Sequence, residues 1–287
     1  MPLRPRVPRV ETLQLPVGNL VFDAVAVGPA DGRLVLLLHG FPQTSHSWRH
    51  VWPALVEAGC RVVAPDQRGY SPGARPDGVE HYRGPHLVDD VLGVLDALDA
   101  ERADVVGHDW GAAVAWQVAG RHPDRVRTLT AVSVPHPLAF IEALRTDDDQ
   151  RRRSLYMRDF GQPGYEHVLL ADDAAGLRAV FDGGGGVDVE HVVERLGTPE
   201  VLRRCLDWYA AQSLEDASGI GPVTAPTLHV WSDDDRALGA AAAHATTRYV
   251  EGPYRFEVLT DVSHWVPEQA ADRLAALVLE HLAAHPA

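Results

Sequence analysis

The chain has 287 residues, enough to bury the core of one large α/β domain, or of a domain with an inserted lid, without a disulfide framework. Its 40 acidic against 26 basic residues give a formal charge of −14, which would repel phosphate backbones and anionic membrane surfaces and so argues against nucleic-acid and membrane partners. The two cysteines, Cys60 and Cys205, read as reduced, buried thiols of a cytoplasmic protein, and the sequence shows neither a secretory signal nor a run of roughly 20 apolar residues.

Pro2 to Arg9 reads as a loose arm, after which β-branched runs alternate with helical periodicity, the pattern of a mostly parallel sheet covered by helices. Leu20–Val27 predicts a strand that pairs antiparallel with its neighbours at the sheet edge. Strands follow at Arg33–Leu38 and Arg61–Pro65. Between them Trp48, Val51, Trp52, Leu55 and Val56 share one helical face that ends at Gly59. A second such face, formed by Leu87, Val91, Val94, Leu95 and Leu98, leads to a strand at Ala103–Val106. The segment after Gly111 is apolar nearly all round, which predicts a helix buried against the sheet centre before a strand at Val126–Val132. From about His136 to Gly221 no strand pattern occurs; turns at Gln162-Pro163-Gly164 and at the run Gly183 to Gly186 break it into several helices. Strands at Thr227–Trp231 and Arg255–Leu259 and a helix bearing Leu274, Leu277, Val278 and Leu282 complete the series. The expected division is an α/β core of residues 1–136 and 222–287 interrupted by a helical cap of residues 137–221, with no internal repeat. All basic residues are Arg and Ala, Gly, Val and Asp abound, a usage that hints at a high-GC bacterial genome.

The chemistry concentrates at Gly107-His108-Asp109-Trp110-Gly111, between a predicted strand and a predicted helix, the context of a nucleophile elbow in which Asp109 takes the place that Ser holds in esterases. Taken alone the pentapeptide also fits a Gly-Asp turn with Asp109 as helix N-cap. Other motifs in chain order favour the elbow. His39-Gly40-Phe41-Pro42 follows an apolar strand, where the Phe41 N–H would join the Trp110 N–H in an oxyanion hole. His264, in Val262-Ser263-His264-Trp265 after the last strand, suits a general base. Trp231-Ser232-Asp233-Asp234-Asp235 supplies its acid; the three successive aspartates leave the choice open, with Asp235 favoured and Asp233 and Asp234 read as solvated loop charges.

HGFP (His39 to Pro42), SWRH (Ser47 to His50), APDQRGYS (Ala64 to Ser71), GHDWG (Gly107 to Gly111) and the terminal SHW (Ser263 to Trp265) together resemble the epoxide hydrolases of the α/β-hydrolase fold, over nearly the whole chain. The family acid closes a W-G-x-x-D pattern, which Trp231 to Asp235 matches except for Ser232, and this supports Asp235. The resemblance also implies two cap tyrosines that bind the epoxide oxygen: Tyr156, ahead of Gln162-Pro163-Gly164, and Tyr209, directly after Trp208. Two departures are the Ser71 to Pro76 segment, where many relatives have a Gly-x-Ser turn, and the glycine-rich Asp182 to Gly186.

The resemblance thus implies an apolar epoxide opened to a vicinal diol. Asp109 would form an alkyl ester, Tyr156 and Tyr209 would supply hydrogen bonds or a proton to the alkoxide, and a neutral His264 oriented by Asp235 would activate water to hydrolyse the ester. Phe41, Trp110, Trp208 and Phe140 are expected to line the substrate pocket. No metal or organic cofactor is expected, and the enzyme is expected to be a monomer or homodimer. The alternatives are a haloalkane or haloacid dehalogenase with the same Asp nucleophile, disfavoured because Phe41 offers no side-chain donor to a halide, and a non-catalytic binding protein, disfavoured by the complete set Asp109, Asp235 and His264.

Overall fold

The computed structural model describes residues 10–181, 184–213, 216–217 and 219–286. The expected arm at Pro2 to Arg9 lies outside them, as do Asp182 and Gly183 of the glycine-rich run. In chain order the first half runs β1 (Glu11–Val17), β2 (Leu20–Val27), β3 (Arg33–Leu38), α1 (Trp52–Glu57), β4 (Cys60–Pro65), α2 (Gly84–Ala97), β5 (Ala103–His108), α3 (Trp110–Arg121) and β6 (Val126–Val132). Helices α4 (Pro137–Thr146), α5 (Asp148–Arg153), α6 (Leu155–Phe160), α7 (Tyr165–Ala179), α8 (Val189–Leu196) and α9 (Pro199–Ala210) follow. The chain then returns through β7 (Thr227–Ser232), α10 (Ala240–Ala245), β8 (Tyr254–Leu259), α11 (Val266–Gln269) and α12 (Ala271–Ala284).

The strands form one sheet in the order β1-β2-β4-β3-β5-β6-β7-β8. From β4 to β8 every neighbour is parallel, as the alternating strand and helix pattern requires. β2 pairs antiparallel with both its neighbours, as expected, but it is not the edge. That place belongs to β1, which Pro16 disguises in the sequence; an edge strand tolerates a residue that donates no hydrogen bond.

Side chains alternate across the sheet and so divide the core in two. Leu36 and Leu38 of β3 join Leu87, Val91 and Leu95 of α2 and Trp116 of α3, whereas Val35 and Leu37 join Leu55 of α1 and Leu274 and Val278 of α12. Each such fully buried Leu or Val contributes roughly 1.5–3 kcal/mol from apolar surface removed from water. α3 is buried along most of its length, as its all-round apolar pattern predicts, and so anchors the residue that precedes it. Cys60 and Cys205 are free and buried. No helix of the described residues is long and apolar enough to cross a membrane.

The chain between β6 and β7 is helical throughout its described regular elements. Asp147, Asp188 and Thr198 cap α5, α8 and α9. Gln162 to Gly164 separate α6 from α7, and α7 is itself broken where Asp172, Asp173 and Ala174 take positive φ. The insertion is tied to the rest of the chain by the Trp208 indole, which donates to Arg68 O at 2.9 Å, and by Arg195, 3.1 Å from the Asp66 carboxylate.

Candidate active site

Asp109 sits between the end of β5 and the start of α3 with φ 51° and ψ −124°, a strained conformation for a residue with a side chain. The strand and helix can cross so closely only because residue 111 is glycine: a Cβ there would lie 2.1 Å from Leu38 O. Asp109 occupies the N-cap position of α3, but its side chain makes no capping hydrogen bond there. Instead Oδ1 accepts the Phe41 N–H at 2.8 Å, and Oδ2 lies 3.3 Å from His264 Nε2. Gly40 is needed beside it, since a Cβ would come within 2.2 Å of Asp109 Oδ1. The strand-end HGFP segment and the elbow therefore meet through Asp109, as their sequence contexts predict.

Of the three aspartates on the loop after β7, only Asp235 reaches the histidine: its Oδ2 is 2.7 Å from His264 Nδ1. Its Oδ1 accepts the N–H groups of Ala237 at 2.8 Å and Leu238 at 3.0 Å. Asp233 and Asp234 are exposed, and Asp233 accepts the Asp261 N–H. Asp235→Asn should therefore slow turnover by as much as ~10⁴, the loss seen where a carboxylate that fixes a histidine tautomer becomes an amide. Asp233→Asn and Asp234→Asn should stay near wild type; steady-state kinetics of the three variants decides, and a sensitive Asp233 or Asp234 would contradict the geometry.

Two further contacts hold the histidine from behind. His108 Nε2 donates to His264 O at 2.9 Å, and Ser133 Oγ donates to the same oxygen at 3.3 Å. Both residues lie at the ends of central strands, β5 and β6, and neither carries a sequence signal for this role beyond that position. Burial pushes His108 down to about 4, so its ring is neutral at physiological pH.

The electrostatics depart from the expectation of a neutral His264. Burial opposes the imidazolium, but Asp235 and Asp109, one at each ring nitrogen, outweigh it and push His264 up to about 10. Reciprocally, burial of Asp109 favours its neutral form, yet the His264 hydrogen bond and charge hold its carboxyl below the usual range. Asp109 and Asp235 thus flank His264, one carboxyl at each ring nitrogen, and all three residues are less than a tenth exposed.

Two cavities open on this row, of about 270 Å³ and about 240 Å³. Asp109, Tyr156, Tyr209 and Ala237 line both and so mark where the two meet. The first continues past Trp110, Trp208, Phe140 and Ile141; the second passes Phe41, Phe160 and Trp265 to Arg236. Every expected pocket residue is thus brought to one cavity or the other. Sequence assigns Phe160 and Trp265 no place in the pocket, although Trp265 closes the SHW motif and Phe160 lies between Tyr156 and Gln162-Pro163-Gly164. The tyrosine rings are 6.1 Å apart, and Tyr209 packs edge-on against Trp110 and Phe41. Burial raises the pKa of both phenols, and the Asp109 charge adds to it, so both remain protonated at neutral pH.

A family model described as "alpha/beta hydrolase fold" matches residues 33–167. The AB hydrolase superfamily protein YfhM of Bacillus subtilis is 33% identical, the match covering 92% of this chain and 95% of that one. Epoxide hydrolase A of Mycobacterium tuberculosis is 30% identical, with 90% and 92% covered. Among solved structures, an epoxide hydrolase of Bacillus megaterium in complex with an inhibitor superposes with a TM-score of 0.86 at 27% identity, covering 94% of this chain and 99% of that one. Similarity at 30% identity over 90% of this chain to an enzyme named as an epoxide hydrolase places it in that family: the chain belongs to the epoxide hydrolases of the α/β-hydrolase fold.

Proposed function

We propose that the enzyme opens an apolar epoxide to a vicinal diol through an ester on Asp109, with residues 137–221 acting as the cap over the site. Asp109 Oδ2 attacks an epoxide carbon and the C–O bond of the ring breaks. Tyr156 and Tyr209, held protonated, donate hydrogen bonds to the leaving oxygen, and one of them delivers the proton that makes it a hydroxyl. Oδ1, already within hydrogen-bond distance of the Phe41 N–H, becomes the ester carbonyl oxygen. Water gives a proton to His264 and adds to that carbonyl, the oxyanion is stabilised by the Phe41 and Trp110 N–H groups, and the alkyl–oxygen leaves with the proton returned by His264, as the second hydroxyl of the diol.

The raised pKa of His264 fits this order of events. While Asp109 is ionised, the imidazolium is stabilised on both sides. Esterification removes the negative charge at Nε2, the pKa falls, and the ring gives up its proton, which restores the ionised phenol and leaves His264 free to act as a base. His264 is thus expected to be a cation during alkylation and neutral only when a base is needed.

The observation that carries this reading is the meeting of Asp109, Tyr156 and Tyr209 at the junction of two largely apolar cavities, with His264 beside Asp109 Oδ2 and the Phe41 N–H on Oδ1. Two arms suit an epoxide with an apolar substituent on each side of the ring. Single turnover in ¹⁸O-labelled water, with enzyme in excess over an aryl epoxide, tests it. The first diol released should carry no label, and the peptide containing Asp109 should gain one ¹⁸O. Label in that first diol would mean direct attack by water and would sink the ester mechanism. A haloalkane and fluoroacetate tested alongside should release no halide.

A further inference from the structure

Gln150 is wholly buried on α5, in the insertion and a short way ahead of Tyr156, yet its side chain engages the loop that carries Asp235, far away in sequence. Its Oε1 accepts the Gly239 N–H at 2.8 Å, and its Nε2 donates to Ala237 O at 2.8 Å and to Ser154 Oγ at 2.9 Å. Asp147, the cap of α5, fixes the Gln150 backbone through a 2.6 Å bond to its N–H. On the same helix Arg153, paired with Asp149 at 2.6 Å, donates to Asp235 O.

The covalent order of these groups gives the contacts a direction. The carbonyl of Ala237 and the N–H of Leu238 belong to one peptide unit: Gln150 donates to its oxygen, and its N–H donates to Asp235 Oδ1 at 3.0 Å. A hydrogen bond accepted at one end of a peptide strengthens the donor at the other, so Gln150 acts on the carboxylate through a single amide. Beyond it, Asp235 Oδ2 holds His264 Nδ1 at 2.7 Å. Ala237 also lines both cavities, so the same peptide is part of the substrate chamber wall.

We propose that Gln150 is a positioning residue for the reaction: it fixes the loop from Asp235 to Gly239 so that the acid stays aimed at His264, and thereby makes ester hydrolysis dependent on the docked helical insertion. The inference rests on the two-step mechanism proposed above. Alkylation needs Asp109 and the tyrosines, and the hydrogen bonds of the Gln150 side chain go instead to Ser154, Ala237 and Gly239. Hydrolysis needs His264 held in one tautomer by Asp235, and a loop free to shift would weaken that bond.

The test is Gln150→Leu, which approximates the side-chain volume and removes all three side-chain hydrogen bonds, followed by rapid quench and intact mass with an accepted epoxide. Ester hydrolysis should slow roughly 10- to 100-fold, by analogy with outer residues that orient reacting ligands. Alkylation should change little, so ester accumulates and kcat and KM fall together. Ser154→Ala, which removes only the contact within the insertion, should leave both steps near wild type. Should the Leu variant fail to fold, Gln150→Glu keeps the shape but sets a carboxyl group against the Ala237 carbonyl, and should slow the same step. Equal slowing of both steps, or no change in a folded variant, overturns the inference while leaving the ester mechanism intact. Absence of any ester in the wild type overturns both.

Discussion

His264→Gln should leave an enzyme that alkylates itself once and stops. In the proposed mechanism ester formation draws on Asp109 and the phenols, whereas ester hydrolysis requires removal of a proton from water, for which glutamine has no basic nitrogen. The loss on the hydrolytic step should be at least ~10²–10⁴, the usual contribution of a positioned base. The substitution has a second consequence whose sign follows from the charges. His264 holds the Asp109 carboxyl below its usual range, so without it burial acts unopposed by that cation and the pKa rises. Alkylation requires the ionised form, present above that pKa, and is lost as pH falls through it. The variant should therefore cease to alkylate at a higher pH than the wild type does. Intact mass after addition of epoxide reads both effects: one covalent adduct at neutral pH, less as the solution is acidified, and none in Asp109→Ala. An unmodified mass from a folded variant that still binds substrate would remove the two-step mechanism.

The parts of this site that are legible in the sequence are those whose local backbone enforces them. The elbow can be read because a strained turn between strand and helix demands small residues around Asp109, and the structure shows why, with Leu38 O packed against Gly111. The strands are legible because central parallel strands are buried on both faces and read as continuous apolar runs. β1 is not, because an edge strand with Pro16 has no such pattern. The choice among Asp233, Asp234 and Asp235 depends on a turn in which the Asp235 N–H returns to Ser232 O, and neighbouring residues of one type carry no mark of which one turns inward. Gln150, His108 and Ser133 stay hidden for a different reason. Each acts on a partner more than 80 residues away, through backbone groups that any residue would present, so no pairing of types reveals the contact. The upward shift of the His264 pKa is hidden likewise, since it depends on carboxyl groups drawn from the two halves of the chain.

Replacing both Tyr156 and Tyr209 by Phe should abolish epoxide opening while leaving the Asp109, His264 and Asp235 row in place. The rings pack against Phe160, Phe41 and Trp110, and Phe keeps those contacts, so stability should change little. What is lost is the stabilisation of the alkoxide, a far stronger base than any halide ion. Burial and the Asp109 charge raise the pKa of both phenols, so in the proposed mechanism they act as hydrogen-bond donors whose proton moves only once the ring has opened. Each lost donor should cost on the order of 10² to 10³ in the alkylation rate, by analogy with oxyanion donors, and the single Tyr→Phe variants should fall between wild type and the double variant. Hydrolysis of an ester already formed should be nearly unaffected, since that step uses the Phe41 and Trp110 N–H groups and His264. Single-turnover burst kinetics on an accepted epoxide separates the two steps. A double variant that alkylates at the wild-type rate would reduce both tyrosines to packing residues and leave the leaving oxygen without an acid. The same variant given a haloalkane provides the converse check, because halide departure needs no proton, and any dehalogenation present in the wild type should survive the loss of both hydroxyls.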